Sequence, residues 1–117
     1  MKTMPTPDNA HSLPLAIADE LNRMEANLAH IQPDVRGYKQ LRRSVERMKD
    51  VLQAFGYEVV SLLGQPYTDG MKVMANFVID EEMPSDSQPL ITNVAKPQVN
   101  YQGRMIQAAQ VTVSQPL

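Results

Sequence analysis

An apolar seam at heptad spacing constrains this chain more than any other feature of its sequence. Twelve apolar residues recur at steps of three and four, with one residue missing from the pattern near Tyr38. They are Ile17, Leu21, Met24, Leu28, Ile31, Val35, Tyr38, Leu41, Val45, Met48, Leu52 and Phe55. A stripe this narrow cannot bury itself on a lone helix, so it predicts a partner helix, most simply from a second copy. The pattern therefore predicts a protein that acts by binding rather than by catalysis.

Length and composition limit what can accompany the seam. The 117 residues have room for one small domain and a helical extension. The chain has no cysteine, which excludes disulfides and thiolate metal sites. The N-terminal residues lack the apolar core of a signal peptide, and no apolar run approaches the roughly 18 residues of a membrane span. We therefore expect a soluble cytoplasmic protein.

The helical part is expected to begin after a short tail. Residues 1–11 contain two prolines and no periodicity, so they are expected to form a flexible tail. Ser12 is the expected N-cap of the helix, with Pro14 in its first turn, where a missing N–H group costs nothing. Residues 12–56 are then predicted to form a helical dimerisation stalk.

Pro33 leaves two structures open for this stalk. It interrupts the seam, and Asp34 can cap a second segment from Val35 to Phe55, so the stalk is one kinked helix or two helices. The apolar step from Ile31 to Val35 keeps the heptad phase across the proline. This favours a kinked continuous helix over a hairpin.

Beyond Gly56, an expected helix stop, the sequence changes to period two and to β-forming residues. A tight hairpin is expected at Gln102-Gly103. The expected strands are Tyr57–Leu63, Val73–Ile79, Leu90–Ala95, Pro97–Tyr101 and Gln107–Val113. The predicted fold is α+β, with a long N-terminal coiled-coil helix, kinked or broken near Pro33, followed by a small antiparallel β head at residues 57–117.

The sequence shows no pattern typical of an enzyme. His11 and His30 are far apart and have few neighbouring ligands, which argues against a metal site. The acidic run from Asp80 to Glu82 is expected to be a solvated loop, because it has no ligand register. No phosphate-binding glycine pattern or nucleophile elbow occurs. We therefore expect no catalytic residues, no cofactor and no metal.

A basic segment leaves nucleic-acid binding as a disfavoured alternative. Six of the eleven basic residues lie between Arg36 and Lys49, and such a run can face a phosphate backbone. Glu46 and Asp50 interrupt it, in the manner of charge pairs along a coiled coil. Tyr38 is the one aromatic residue within it, too few to form a base-stacking surface. We therefore expect no nucleic-acid partner.

Two segments of the C-terminal half carry a family resemblance. The first runs from Val45 to Val60 and includes VERMKDVL and FGYEVV. The second is Tyr101–Val113, YQGRMIQAAQVTV. They resemble the helix-to-head junction and the closing hairpin of GrpE proteins, the nucleotide exchange factors of DnaK-type chaperones. Gln65–Gly70 stands where that family has a P-x-D-P type loop, and the resemblance covers roughly residues 41–115.

The resemblance implies a co-chaperone. A GrpE-like dimer of long helices and small β heads would bind the ATPase domain of a DnaK-type chaperone and promote ADP release by stabilising the open cleft. The candidate contact residues on the matching loop and hairpin are Tyr67, Asp69, Tyr101, Gln102, Arg104 and Gln107. The alternative at these positions is that Tyr101 packs in the sheet and Gly103 only permits the turn.

The expected homodimer contact lies on the stalk, at Leu41, Val45, Met48 and Leu52. A Val45→Asp substitution should then disrupt the dimer by burying an unpaired charge.

The sequence also departs from the family pattern. Gln107 replaces an arginine expected to contribute to chaperone contact, and Met71–Met74 stands where the family has a histidine. The stalk is short and is divided by Pro33. These departures favour a divergent exchange factor with a dedicated partner. They also keep open a dimeric GrpE-derived adaptor without exchange activity.

Overall fold

The computed structural model describes residues 10–117, which form two helices and six strands. The predicted tail lies outside these residues except for its last two positions. In chain order the elements are α1 (Ser12–Leu28), α2 (Tyr38–Ala54), β1 (Tyr57–Val60), β2 (Val73–Ile79), β3 (Leu90–Lys96), β4 (Gln98–Tyr101), β5 (Arg104–Gln107) and β6 (Ala109–Gln115). Within residues 10–117, no helix is long and apolar enough to cross a membrane.

The prediction of one long coiled-coil helix is wrong. The chain forms two helices of 17 residues each, and α2 returns along α1 as a hairpin. Two contacts define the antiparallel arrangement. His11, at the start of α1, lies against Tyr57, just beyond the end of α2. Farther along the pair, Lys49 Nζ lies 3.1 Å from Glu25 Oε2.

The connection between the helices explains the break. Pro33 has no N–H group to donate, and it disfavours a helical conformation at the residue before it. Gly37 has φ of +91° immediately before α2, a left-handed conformation that glycine adopts readily. The chain therefore leaves the helical path near Leu28 and re-enters it in a new direction at Tyr38.

Part of the seam is buried within one chain. Val45 and Leu52 of α2 are 3% and 7% exposed and share a core with Leu21 and Leu28 of α1. The unbroken spacing across Pro33 was misleading, because heptad spacing reports which residues face a partner and not which helix that partner is. The buried positions of each half of the seam thus pack against the other half. Seven seam residues remain exposed: Ile17, Met24, Ile31, Val35, Leu41, Met48 and Phe55.

Sheet 1 has the order β1-β4-β5, with antiparallel neighbours throughout. It supplies Tyr57 and Val99 to the same core as the two helices. The predicted strand from Tyr57 ends earlier than expected, at Val60, and Gly56 ends the preceding helix as predicted, with φ of +94°. Sheet 1 is thus the platform on which the helical hairpin packs.

Sheet 2 has the order β2-β6-β3 and its own apolar core, which includes Ile91, Val111 and Val113. The prediction of β2 is confirmed at both of its ends, Val73 and Ile79. The prediction of an entirely antiparallel head is wrong, since β2 and β6 run parallel. In the chain, three other strands lie between β2 and β6. The alternation of apolar and polar residues along one strand shows which face is buried, but it does not show which strand is its neighbour or in which direction that neighbour runs.

Helix α1 also binds sheet 2 through a buried amide. Asn22 Nδ2 donates to the carbonyl oxygens of Val94 and Ala95 at 2.9 and 3.5 Å. Asn22 is itself buried, so leaving this amide unbonded would cost about 1–3 kcal/mol. This contact ties the helical hairpin to β3.

Val45→Asp is expected to unfold the chain rather than only to dissociate a dimer. An aspartate at this buried position would have no partner, and we expect the free energy of unfolding to fall by about 3 kcal/mol or more. Urea denaturation followed by circular dichroism measures this change. The matched control is Leu41→Asp on the same helix, 56% exposed, for which we expect a change within about 0.5 kcal/mol. Equal effects of the two substitutions would contradict this assignment of the core.

Candidate partner-binding surface

The hairpin of β4 and β5 carries most of the predicted contact residues. Its two-residue turn consists of Gln102, with φ of +49°, and Gly103, with φ of +82°. Positive φ at both central positions is the type I′ geometry, which matches the twist of antiparallel strands. The turn exposes Gln102 and the first residue of β5, Arg104. The prediction of a hairpin at this place is confirmed.

An aromatic cluster fastens this hairpin to the ends of the two helices. The Tyr101 ring centroid lies 4.7 Å from those of both His11 and Tyr57. His11 Nδ1 lies 2.7 Å from the Tyr57 hydroxyl oxygen, within hydrogen-bond distance. Burial raises the pKa of Tyr57 above its ordinary value, and the neighbouring Tyr101 adds to the effect. The structure therefore gives Tyr101 a packing role.

Gly56 permits the close approach of the hairpin to the helix end. Its carbonyl oxygen accepts a hydrogen bond from the Gln102 N–H group at 2.9 Å. A Cβ atom at position 56 would lie 3.2 Å from Tyr101 Cε1, and the residue has positive φ. A larger residue would therefore have to displace the tyrosine ring and bear backbone strain.

Gln107 and Arg104 lie at the two ends of β5, and only one of these two side chains is free to contact a partner. Gln107 Nε2 donates to Asp19 Oδ1 at 3.0 Å and to the Pro97 carbonyl oxygen at 2.9 Å. Its amide N–H groups are thus used inside the molecule, linking β5 to α1. Arg104 is exposed, and its side chain has no ion pair or hydrogen bond within residues 10–117.

The remaining two predicted contact residues belong to the other sheet. Tyr67 packs into the core of sheet 2 and meets the Phe77 ring edge-on, with centroids 5.3 Å apart. Its N–H group donates to the Pro89 carbonyl oxygen at 2.8 Å. Asp69 is exposed on the same loop. The six predicted residues therefore form two sets, one on each sheet, rather than one site.

The four predicted dimer residues also separate. Val45 and Leu52 are buried within the chain, whereas Leu41 is 56% exposed and Met48 is 36% exposed. The burial of the first pair requires no second copy. A homodimer through these helices stays a prediction, and in this structure only Leu41 and Met48 of the four are open to a partner.

A cleft that the sequence did not indicate lies between the helical hairpin and the strands. Its volume is about 390 Å³, and its lining includes Glu25, Tyr38, Arg42 and Val94. Arg42 Nη1 donates to the Tyr38 hydroxyl oxygen at 3.2 Å, a bond that raises the pKa of Arg42 and favours its charged form. The cleft depends on the return of α2 along α1, so a reading as one continuous helix could not reveal it.

Other chemistry-bearing residues remain dispersed. Within residues 10–117, no group of three His, Asp or Glu side chains comes together to hold a metal ion. Arg43 and Arg47 are exposed on α2, and in the same described part of the chain neither forms an ion pair with Glu46 or Asp50. The charge pairs predicted along a coiled coil are therefore missing between these side chains.

Comparisons with known proteins assign no family to the chain. No protein-family model matches the sequence, and no curated protein matches it. Its function must therefore be inferred from its own residues and from the surfaces they form.

The raised pKa of Tyr57 predicts a loss of stability at alkaline pH. As the pH rises, the Tyr57 hydroxyl ionises in the unfolded chain first, near pH 10, and in the folded chain only at higher pH. Its contribution to the free energy of unfolding is therefore fully present below pH 10 and declines as the pH rises above that value. At pH 8 we expect Tyr57→Phe to cost about 1 kcal/mol, through loss of the His11 contact. The difference from the wild type should shrink by pH 11. Urea denaturation at both pH values measures this difference in the free energy of unfolding. Ionisation of the lysines affects both proteins equally, so it cancels in the difference. A difference independent of pH would contradict the assignment.

Proposed function

We propose that the protein is a cytoplasmic GrpE-like co-chaperone that binds the ATPase domain of a DnaK-type chaperone and promotes ADP release. The observation that carries this proposal is the closing hairpin. The residues that resemble the family's most specific segment form an exposed two-residue turn, followed by Arg104, which has no ion pair within residues 10–117. The proposal requires no catalytic group, because exchange factors act by binding.

The anchoring of this hairpin supports a docking role. The turn is held by the bond from Gln102 to Gly56, by the aromatic cluster around Tyr101, and by the bonds of Gln107 at the far end of β5. A preorganised protrusion loses little conformational entropy when it binds. Arginine is also enriched among the residues that dominate interface energies. A rigid turn that presents a free arginine therefore suits recognition of a complementary acidic surface.

The proposed mechanism is a population shift. The hairpin would bind the open form of the ATPase cleft more tightly than the closed form, and an open cleft makes fewer contacts with ADP. At saturation, the ratio of open to closed ATPase rises by a factor equal to the ratio of the two affinities. Equal affinity for both forms would give binding without any acceleration of release.

The test is the release of a fluorescent ADP analogue from the DnaK-type ATPase of the same cell, followed by stopped flow. We expect wild-type protein to accelerate release. We expect Arg104→Ala to weaken the effect about tenfold or more at subsaturating concentration, as the loss of a central arginine does at other interfaces. The matched control is Arg43→Ala, which removes an exposed arginine of α2 that likewise has no ion pair among residues 10–117, and which should retain full acceleration. No acceleration by the wild type would contradict the proposal.

The second candidate is an adaptor that binds the same chaperone without exchanging its nucleotide. One observation favours it. Gln107, which stands in place of the family's arginine, bonds to Asp19 and Pro97 inside the molecule and offers no charge to a partner. Binding of the ATPase in a pull-down, together with unchanged ADP release, would favour this adaptor over an exchange factor.

A further inference from the structure

Strand β2 forms an unprotected edge of sheet 2. Its sequence, VMANFVI, contains no charge and no proline, and it pairs with β6 without a bulge. Within residues 10–117 its other side has no partner strand. Natural sheets protect such edges with charges, prolines, bulges or covering elements, because free edges pair with other chains. β2 has none of these protections among the described residues.

The opposite edge of the same sheet shows the contrast. Strand β3 has two irregularities in its pairing with β6 and ends in Lys96. Its carbonyl groups at Val94 and Ala95 accept hydrogen bonds from Asn22, so α1 covers this edge. The two edges of sheet 2 therefore differ: among the described residues, α1 contacts the β3 edge, whereas the β2 edge remains open to another strand.

The hydrogen bond at the end of β2 shows which backbone groups are free. The Asp80 N–H group donates to the Gln115 carbonyl oxygen at 2.8 Å, toward β6. Because successive residues of a strand direct their N–H and C=O groups to alternate sides, Ala75, Phe77 and Ile79 direct theirs away from β6. Within residues 10–117, no turn, loop or side-chain bond uses the N–H groups of these three residues.

We propose that β2 pairs antiparallel with β2 of a second copy of this chain, across a two-fold axis at Asn76. In this register Ala75 lies opposite Phe77, and Val73 lies opposite Ile79. The backbone groups of Ala75, Phe77 and Ile79 face outward, so the central part of the ladder can form without any change in the pairing of β2 with β6. The Val73 N–H group already donates to the Met71 carbonyl oxygen at 3.0 Å. Sheet 2 would continue through the axis into the sheet of the partner.

The charges that flank β2 favour a second copy of this strand as the partner, and they favour the register centred on Asn76. Lys72 precedes β2 and Asp80 follows it, and pairing about Asn76 places each opposite the other in the partner. Within residues 10–117 Lys72 has no ion pair, and Asp80 uses Oδ1 to accept a bond from the Glu82 N–H group. A parallel pairing would instead bring Lys72 against Lys72, which is unfavourable. The strand is therefore complementary to itself in the antiparallel sense alone.

The exposed side chains agree with a partner at this edge. Met74 is 61% exposed and Ile79 is 53% exposed. In the proposed register Met74 lies opposite Val78 on one face, and Ile79 lies opposite Val73 on the other. Apolar cross-strand pairs of this kind stabilise a sheet. Because each copy uses the same strand, the contact is closed and produces a dimer rather than a fibre.

Charge reversal tests the register. Lys72→Asp would place two carboxylates opposite each other, and Asp80→Lys would place two ammonium groups opposite each other. We expect each single variant to weaken dimerisation about tenfold, and the double variant K72D/D80K to restore it. Sedimentation velocity over a dilution series measures the change, and circular dichroism confirms folding. A wild type that stays monomeric throughout, or a double variant weaker than both single variants, would overturn the proposal.

Disulfide trapping distinguishes this dimer from one formed through the helices. The chain has no cysteine, so each single cysteine variant reports one contact. Asn76→Cys would lie opposite its own copy in a non-hydrogen-bonded pair, at a Cα separation of about 4.5 Å that a disulfide can span. We expect mild oxidation to convert it to a covalent dimer. Asn93→Cys, at an exposed position of β3, is the control and should stay monomeric. Trapping by Met48→Cys but not by Asn76→Cys would assign the dimer to the helices and overturn the proposal.

Discussion

The burial of α2 against α1 is the interaction on which the rest of the structure depends. Val45 and Leu52 meet Leu21 and Leu28 inside one chain, so these four residues of the apolar seam that suggested a coiled coil belong to the core of a helical hairpin. This packing returns the end of α2 to the beginning of α1. The chain therefore enters β1 beside His11, and sheet 1 can complete the same core with Tyr57 and Val99.

Helix α1 then serves as the frame for both sheets. Three polar side chains, that of the N-cap residue His11 and two within the helix, bind strand residues: His11 contacts Tyr57, Asp19 accepts a bond from Gln107, and Asn22 donates to Val94. Each net contribution is modest, about 1 kcal/mol, but an unbonded buried partner would cost more. These bonds set where the closing hairpin and the protected edge of sheet 2 lie relative to the helices.

Two exposed features follow from this frame, and they belong to different sheets. The turn at Gln102-Gly103, with Arg104 beside it, lies on sheet 1, and the free edge of β2 lies on sheet 2. The first is the basis of the proposed chaperone contact, and the second is the basis of the proposed self-association. Because the two contacts use different strands, the protein can bind the chaperone and pair with a second copy at the same time. A dimer formed through β2 would carry two copies of the hairpin.

The sequence by itself determined the local elements of this protein. Period-two alternation located β2 at its observed ends, the Gln102-Gly103 pair located the hairpin, and Gly56 located the end of α2. Only the tertiary structure decided that the buried seam residues pack within one chain, that β2 and β6 are parallel, and that Gln107 bonds to Asp19. The physical reason is that periodicity and turn residues act over a few neighbouring positions, so they record which side chains are buried. The surface against which those side chains are buried depends on contacts between residues far apart in the chain.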